Sequence, residues 1–208
     1  MDGLREKSKS YARVAAEAAA AEKAKRAQNL PQGIYNVIYA DPPWLYDNQG
    51  VLGAAQKHYA GMPLDDICAL PRTMNLRTDA NAVLFLWATN PLLAEALRVV
   101  EAWGFEYKTN LVWVKTNLEK PGSGWYVRGR HELLLIATRG SFTPLENVSP
   151  PIGSVLEAPI DAHSRKPDDA YRIIERLYPS CRYLELFARR QTPRPGWDYW
   201  GDEAHVDG

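Results

Sequence analysis

The feature that most narrows the possible folds is a set of apolar runs, each about one strand long and nearly free of polar alternation: IYNVIYA (34–40), AVLFLWA (82–88), TNLVWVK (109–115), HELLLIATR (131–139) and RYLELFA (182–188). A strand with one face in water alternates apolar and polar residues, whereas a strand covered on both faces does not. These runs therefore predict a sheet enclosed between two layers. Helical patterns lie between them. PLDDICAL (63–70) is short. NPLLAEALRVVEAWG (90–104) opens with Asn90 and Pro91 and ends at Gly104, and KPDDAYRIIERLYP (166–179) opens with Pro167 and two acids and stops at Pro179. The alternation predicts an α/β fold, a mostly parallel central sheet flanked by helices. Ligands of such sheets bind at the carboxyl ends of the strands, so the residues just after each run are the functional candidates.

With 208 residues, 46% of them hydrophobic, the chain fits one globular domain with a substantial core. PQG (31–33) marks a boundary, separating an N-terminal extension (1–30) from the main domain (31–208). Strong helix formers, with no Pro or Gly between Arg5 and Leu30, predict that the extension is helical where ordered. Its apolar residues are mostly alanine and bury little area, which suits a frayed terminus, a loosely docked arm, or an extension that binds a partner or nucleic acid. Glu17 and Glu22 interrupt the alanine tract, unlike a signal peptide, and there is no run of about 18 apolar residues. The expectation is a soluble cytoplasmic protein without a membrane segment. Cys68 and Cys181 share no motif spacing and are expected to be reduced core thiols, and no His/Cys spacing suggests a metal site.

The formal net charge of zero argues against binding nucleic acid by bulk electrostatics. Charge is nonetheless uneven. Residues 1–29 hold seven Lys/Arg against four acids, and WVKTNLEKPGSGWYVRGRHE (113–132) gathers Lys115, Lys120, Arg128 and Arg130 around Gly, Pro and aromatic residues. That composition suits either a loop that touches phosphates and bases or a solvated loop.

The first apolar run ends abruptly in Asp41, Pro42, Pro43 and Trp44. As structure alone, prolines could end the strand and the tryptophan fill the core. An acid at a strand end, however, gains little unless the carboxylate faces a ligand. The stretch resembles the DPPW signature of the MT-A70 family of S-adenosylmethionine-dependent adenine N6-methyltransferases. KHYAGM (57–62), VLFLWAT (83–89), WGFEYKTNLVWVKTN (103–117), HSRKPDDAYRIIERLYP (163–179), RYLELFARR (182–190) and GWDYWGDE (196–203) are similar to that family's blocks and follow its order. The resemblance spans about residues 34–203. It implies a Rossmann-like methyltransferase fold with permuted motif order, the catalytic block preceding the cofactor block.

The chemistry accounts for these residue types. The exocyclic amine of adenine is a poor nucleophile because its lone pair is delocalised into the ring. Acceptors that favour a tetrahedral nitrogen, here Asp41 and the Pro42 carbonyl, would hold it. Pro42 and Pro43 would fix the backbone, and Trp44 would stack on the extruded base. By the same resemblance, Asp41 counts among the cofactor-binding residues as well as the catalytic ones, and Lys166 meets the carboxylate of the methionine moiety, next to a helix start that also favours an anion. Arg189 and Thr192 fall where the family contacts the ribose, with Arg189 ranked first. Glu185 and Phe187 lie in the motif but read as structural. Asp202 and Glu203 fall where relatives carry Gly-Asn-Gln or Gly-Asn-Glu at the adenosine end. ELFARR contains no glycine, a departure from nucleotide-binding fingerprints. Tyr59, Trp125, Arg128, Arg130 and Glu132 are the substrate-binding candidates. Trp87 and Trp113 read as core, and His58 as a surface histidine beside a loop.

The leading reading is an adenine N6-methyltransferase acting on DNA, because a compact chain without an RNA-binding module resembles prokaryotic or phage-type members. RNA is the nearest rival, and a catalytically silent scaffold is the other class. Target choice would come from the loops at 45–60 and 116–130, and a homodimer is possible.

Overall fold

A computed structural model describes residues 31–45, 61–118, 126–161, 165–189 and 193–201. The expected N-terminal helix, Tyr59, Trp125, Thr192, Asp202 and Glu203 lie outside the described residues. Seven strands form one sheet: β1 (Tyr35–Ala40), β2 (Thr78–Ala88), β3 (Glu106–Lys115), β4 (His131–Arg139), β5 (Val155–Ala158), β6 (Tyr183–Leu186) and β7 (Trp197–Trp200). Among the described residues the helices are α1 (Leu64–Thr73), α2 (Leu93–Ala102) and α3 (Asp168–Leu177), with a 3-10 turn at Asn90–Leu92 leading into α2. The strand order is β5-β3-β4-β2-β1-β6-β7. All pairings are parallel except the two made by β4, which runs antiparallel to β2 and β3. This is the mostly parallel α/β sheet that the apolar runs predict, in a Rossmann-like methyltransferase arrangement.

The absence of alternation in the central strands has the expected cause. Ala82, Leu84, Leu86 and Ala88 of β2 join a core with Ile67 and Leu70 of α1 and Val99 and Val100 of α2. Val83, Phe85 and Trp87 of the same strand point to the opposite face, where Ala170, Tyr171 and Ile174 of α3 cover them. Seven consecutive β2 residues are therefore buried. Cys68 and Cys181 are free thiols. They are half-buried and pack against the margins of the two cores, so they are not the core thiols expected from their apolar contexts.

α1 carries a proline, Pro71, in its interior. Proline lacks the N–H that would bond to the carbonyl four residues earlier. That carbonyl belongs to Ile67, and it accepts a hydrogen bond from the Trp103 indole Nε1 at 2.8 Å. The helix keeps its proline because a neighbouring side chain replaces the missing donor. Trp103→Phe would keep most of the apolar contact and strand the carbonyl. It is expected to cost about 1–3 kcal/mol in chemical denaturation. An unchanged midpoint would show that another donor reaches Ile67.

The edges depart most from the sequence reading. β2 and β3 begin several residues before their apolar runs, and β6 ends at Leu186. β5 and β7, four residues each, were not foreseen. Just past β6, Phe187 takes a left-handed φ of 63°, a conformation usually given to glycine. The glycine absent from ELFARR has a counterpart across the sheet. A Cβ on Gly201 would lie 2.4 Å from the Ala188 amide nitrogen. That close approach accompanies the hydrogen bond from the Ala188 amide to the Trp200 carbonyl, 2.9 Å.

Candidate active site

Register gathers the chemically active side chains at one edge. β1 ends at Ala40, paired with Leu86 of β2 and Leu186 of β6, so Asp41 emerges at the carboxyl end of the parallel strands. β4 runs the other way, with Leu133 opposite Ala88 and Glu132 opposite Trp113. Its first residues, His131 and Glu132, therefore reach the same edge, as does Lys115, the last residue of β3. Lys166 arrives from the other direction, just before Pro167 caps α3.

These residues form a chain of alternating charge. The Lys166 ammonium donates to both carboxylate oxygens of Asp41, at 2.9 Å to Oδ1 and 2.8 Å to Oδ2. It lies 3.4 Å from Glu132 Oε2, while the Lys115 ammonium lies 2.5 Å from Glu132 Oε1. The side chains of Lys166 and Glu132 are only 11% and 12% exposed, so these contacts are poorly screened by solvent. Burial works against the charged form of Lys166, but the Asp41 and Glu132 carboxylates outweigh it and hold the ammonium above the usual lysine range. Burial likewise favours neutral Glu132. Lys166 and Lys115 overcome that effect and hold it below the usual carboxylate range.

The signs of these shifts fix a pH window. A lowered carboxylate stabilises the fold fully above its unfolded value, and that contribution is lost as pH falls through the folded one. A raised lysine contributes fully below its unfolded value and loses the contribution as pH rises through the folded one. The network should therefore be at full strength between the ordinary Glu and Lys ranges and fail at both extremes. Thermal melts of Glu132→Gln and wild type should differ most at neutral pH and converge in acid. A gap independent of pH would mean that Glu132 is not held charged.

Trp44 and the prolines complete the arrangement. The Trp44 indole donates to the Trp87 carbonyl at 3.2 Å, and the Met62 amide donates to the Pro43 carbonyl at 2.7 Å, so the segment is pinned on both sides. The Pro42 carbonyl accepts the Trp44 amide at 2.9 Å. One of its lone pairs is thus already used in shaping the turn, and one remains for an incoming donor. Trp87, read from sequence as core, is indeed 1% exposed. It also supports the site. Its ring lies 5.5 Å from the Lys166 ammonium, its carbonyl holds Trp44, and its indole donates to the Tyr39 hydroxyl at 2.6 Å.

Of the site residues expected from sequence, Asp41, Pro42, Pro43, Trp44, Lys166 and Glu132 come together. Glu132, expected to bind substrate, is engaged by two lysines. Arg128 and Arg130 lie exposed on the approach to β4, and half-buried Arg189 follows β6. Lys115 went unassigned because it read as part of a basic loop, although its position at a strand's carboxyl end could have singled it out. A buried cation flanked by carboxylates suits a zwitterionic amino-acid moiety such as that of S-adenosylmethionine. Lys166 can meet its carboxylate, and Asp41 and Glu132 offer acceptors for positive or N–H groups nearby.

Comparison with known proteins agrees with this geometry. The MT-A70 family model matches residues 35–203. The chain is 32% identical over 193 residues to the Type II methyltransferase M.MunI of Mycoplasma sp, covering 84% of this chain and 79% of that protein. It is 30% identical to the N(6)-adenosine-methyltransferase MT-A70-like protein of Arabidopsis thaliana, over 82% of this chain and 24% of that protein. It is 28% identical to the Homo sapiens N(6)-adenosine-methyltransferase catalytic subunit METTL3, over 82% of this chain and 28% of that protein. The chain thus spans most of the Mycoplasma enzyme but only about a quarter of the plant and human ones. With the DPPW turn and its paired lysine in place at the sheet edge, the chain belongs to the MT-A70 family of methyltransferases.

Proposed function

We propose that the protein transfers a methyl group from S-adenosylmethionine to the N6 amine of adenine in DNA. The carrying observation is the contact of the Lys166 ammonium with both oxygens of Asp41, beside the Trp44 ring anchored on Trp87. Bound S-adenosylmethionine supplies a methyl group already activated as a sulfonium. The task of the chain is to position the amine and sharpen its lone pair. Lys166 turns part of its hydrogen bonding to the cofactor carboxylate, and Glu132, held by Lys115, keeps the lysine charged and near Asp41. An Asp41 oxygen then accepts one amine hydrogen and the remaining Pro42 lone pair accepts the other, which draws the nitrogen toward tetrahedral geometry. Trp44 stacks on the base, with Tyr59 and Trp125 as further contacts. Arg128 and Arg130 meet backbone phosphates. Arg189, Thr192, Asp202 and Glu203 serve the ribose and adenosine end of the cofactor, residues 1–30 form a separate extension, and the protein works in the cytoplasm. No helix among the described residues is long and apolar enough to cross a membrane.

DNA is favoured over RNA because M.MunI, named as a Type II methyltransferase, is matched along most of its length. The test is mass spectrometry of digested nucleosides after incubating the protein, and its Asp41→Ala variant, with S-adenosylmethionine and matched DNA and RNA pools. N6-methyladenine in DNA, absent with Asp41→Ala, supports the proposal. Methylation of RNA alone moves the substrate to RNA. Cofactor binding without methylation of either pool moves the reading to a scaffold.

A further inference from the structure

At the sheet edge opposite Asp41 lies a cavity of about 320 Å³. Arg139 ends β4, and Thr78, which begins β2, pairs with Tyr35 of β1, so the polar wall of the cavity sits about 20 Å from Asp41 along β1, with Ile38 lining its near side. Its walls include Arg72, Arg139, Asn75 and Thr78 over an apolar floor of Trp103 and Phe105, and no Asp or Glu lines it. The size falls at the lower end for small-molecule sites.

The two arginines differ from the paired lysines of the reaction edge. The Arg139 Nη2 donates to the Thr78 hydroxyl and to the Asp79 carbonyl, and its guanidinium lies 5.0 Å from the Phe105 ring. Its Nε–H is buried without a hydrogen-bond partner. An unmade bond from a buried charged donor is costly. Arg72, exposed at the end of α1, has no carboxylate partner among the described residues. One alternative is that the arginines only neutralise the carboxyl ends of α1 and α2, which converge here. The terminal carbonyls are already bonded: Leu70 O accepts the Met74 amide, Val99 O the Trp103 amide and Val100 O the Phe105 amide. Each helix end then contributes at most about half a negative charge, so two full guanidinium charges leave an excess of about one positive charge.

We propose that this cavity is a second anion site that takes a phosphate group, remote from the reaction edge. The Arg72 fork, the Arg139 donors not spent on Thr78 and Asp79, the Thr78 hydroxyl and the Asn75 amide supply the donors that a tetrahedral oxyanion requires, and arginine suits phosphate because a free fork binds two oxygens at once. The phosphate can come from a free mononucleotide or from a nucleic-acid strand.

Titration of the full-length 15N-labelled protein with inorganic phosphate, adenosine monophosphate and a thymine-only oligonucleotide tests this. The oligonucleotide offers phosphates without a target base. The Arg139 Nε–H resonance should shift saturably with at least one of the three. Arg72→Gln, at an exposed position that leaves the fold intact, should weaken that binding by about tenfold or more. Preference for the mononucleotide or for the oligonucleotide identifies the source, and either supports the site. No saturable shift with any probe, or the same affinity in Arg72→Gln, overturns it.

Discussion

Asp41→Asn is expected to lower the methyl-transfer rate by about 10²–10³-fold while the protein stays folded. The substitution keeps shape and one acceptor oxygen but removes the charge and places an N–H₂ group where the amine hydrogen should be received. Lys166 retains Glu132 3.4 Å away, so its charge is not abandoned. The stability loss should therefore be near 1 kcal/mol, a shift of about 2–4 °C in melting temperature. In the proposed mechanism Asp41 acts on the amine in the transition state and the cofactor carboxylate is met by Lys166. The loss should thus fall on kcat, with calorimetric affinity for S-adenosylmethionine changed little. A variant that keeps wild-type kcat would remove Asp41 from the reaction. One that loses cofactor binding as severely as turnover would make Asp41 a cofactor residue first.

How far the sequence carries depends on whether neighbours in space are also neighbours in the chain. Central strands were legible because burial on both faces leaves a local mark, as in the buried run of β2. β5 and β7 left almost none. They are four residues long at the sheet margins, and β7 mixes buried Trp197 and Trp200 with half-buried Asp198 and Tyr199. The DPPW turn was legible because its residue types are costly outside a site. The ion-pair chain was not, since Lys115, Glu132, Lys166 and Asp41 meet only after β4 reverses direction and inserts between β2 and β3. The same reversal explains why Glu132 read as a substrate contact: at the start of an apolar run, after a basic loop, nothing local showed that two lysines would hold it. Trp87 was half legible. Its burial followed from its strand, but its carbonyl bond to Trp44 and its place beside Lys166 depend on packing.

Lys166→Met should have the largest combined effect, and its parts are separable. The side chain is 11% exposed and Asp41 24%, so removing the cation leaves carboxylates in a partly dry site. Breaking a buried pair from one side costs about 3–5 kcal/mol, and the lower end applies here because Lys115 still holds Glu132 and Asp41 retains some solvent. Cofactor affinity should fall by about tenfold or more, the loss expected for one charge-assisted contact. The double variant Asp41→Asn/Lys166→Met distinguishes the two roles. Neutralising both partners should restore much of the stability, because no uncompensated carboxylate remains at that position, yet it cannot restore an ammonium for the cofactor. Recovered melting temperature with affinity still low is the expected result. If affinity recovered together with stability, the effect of Lys166 on the cofactor would be indirect, exerted only by keeping the DPPW turn in place.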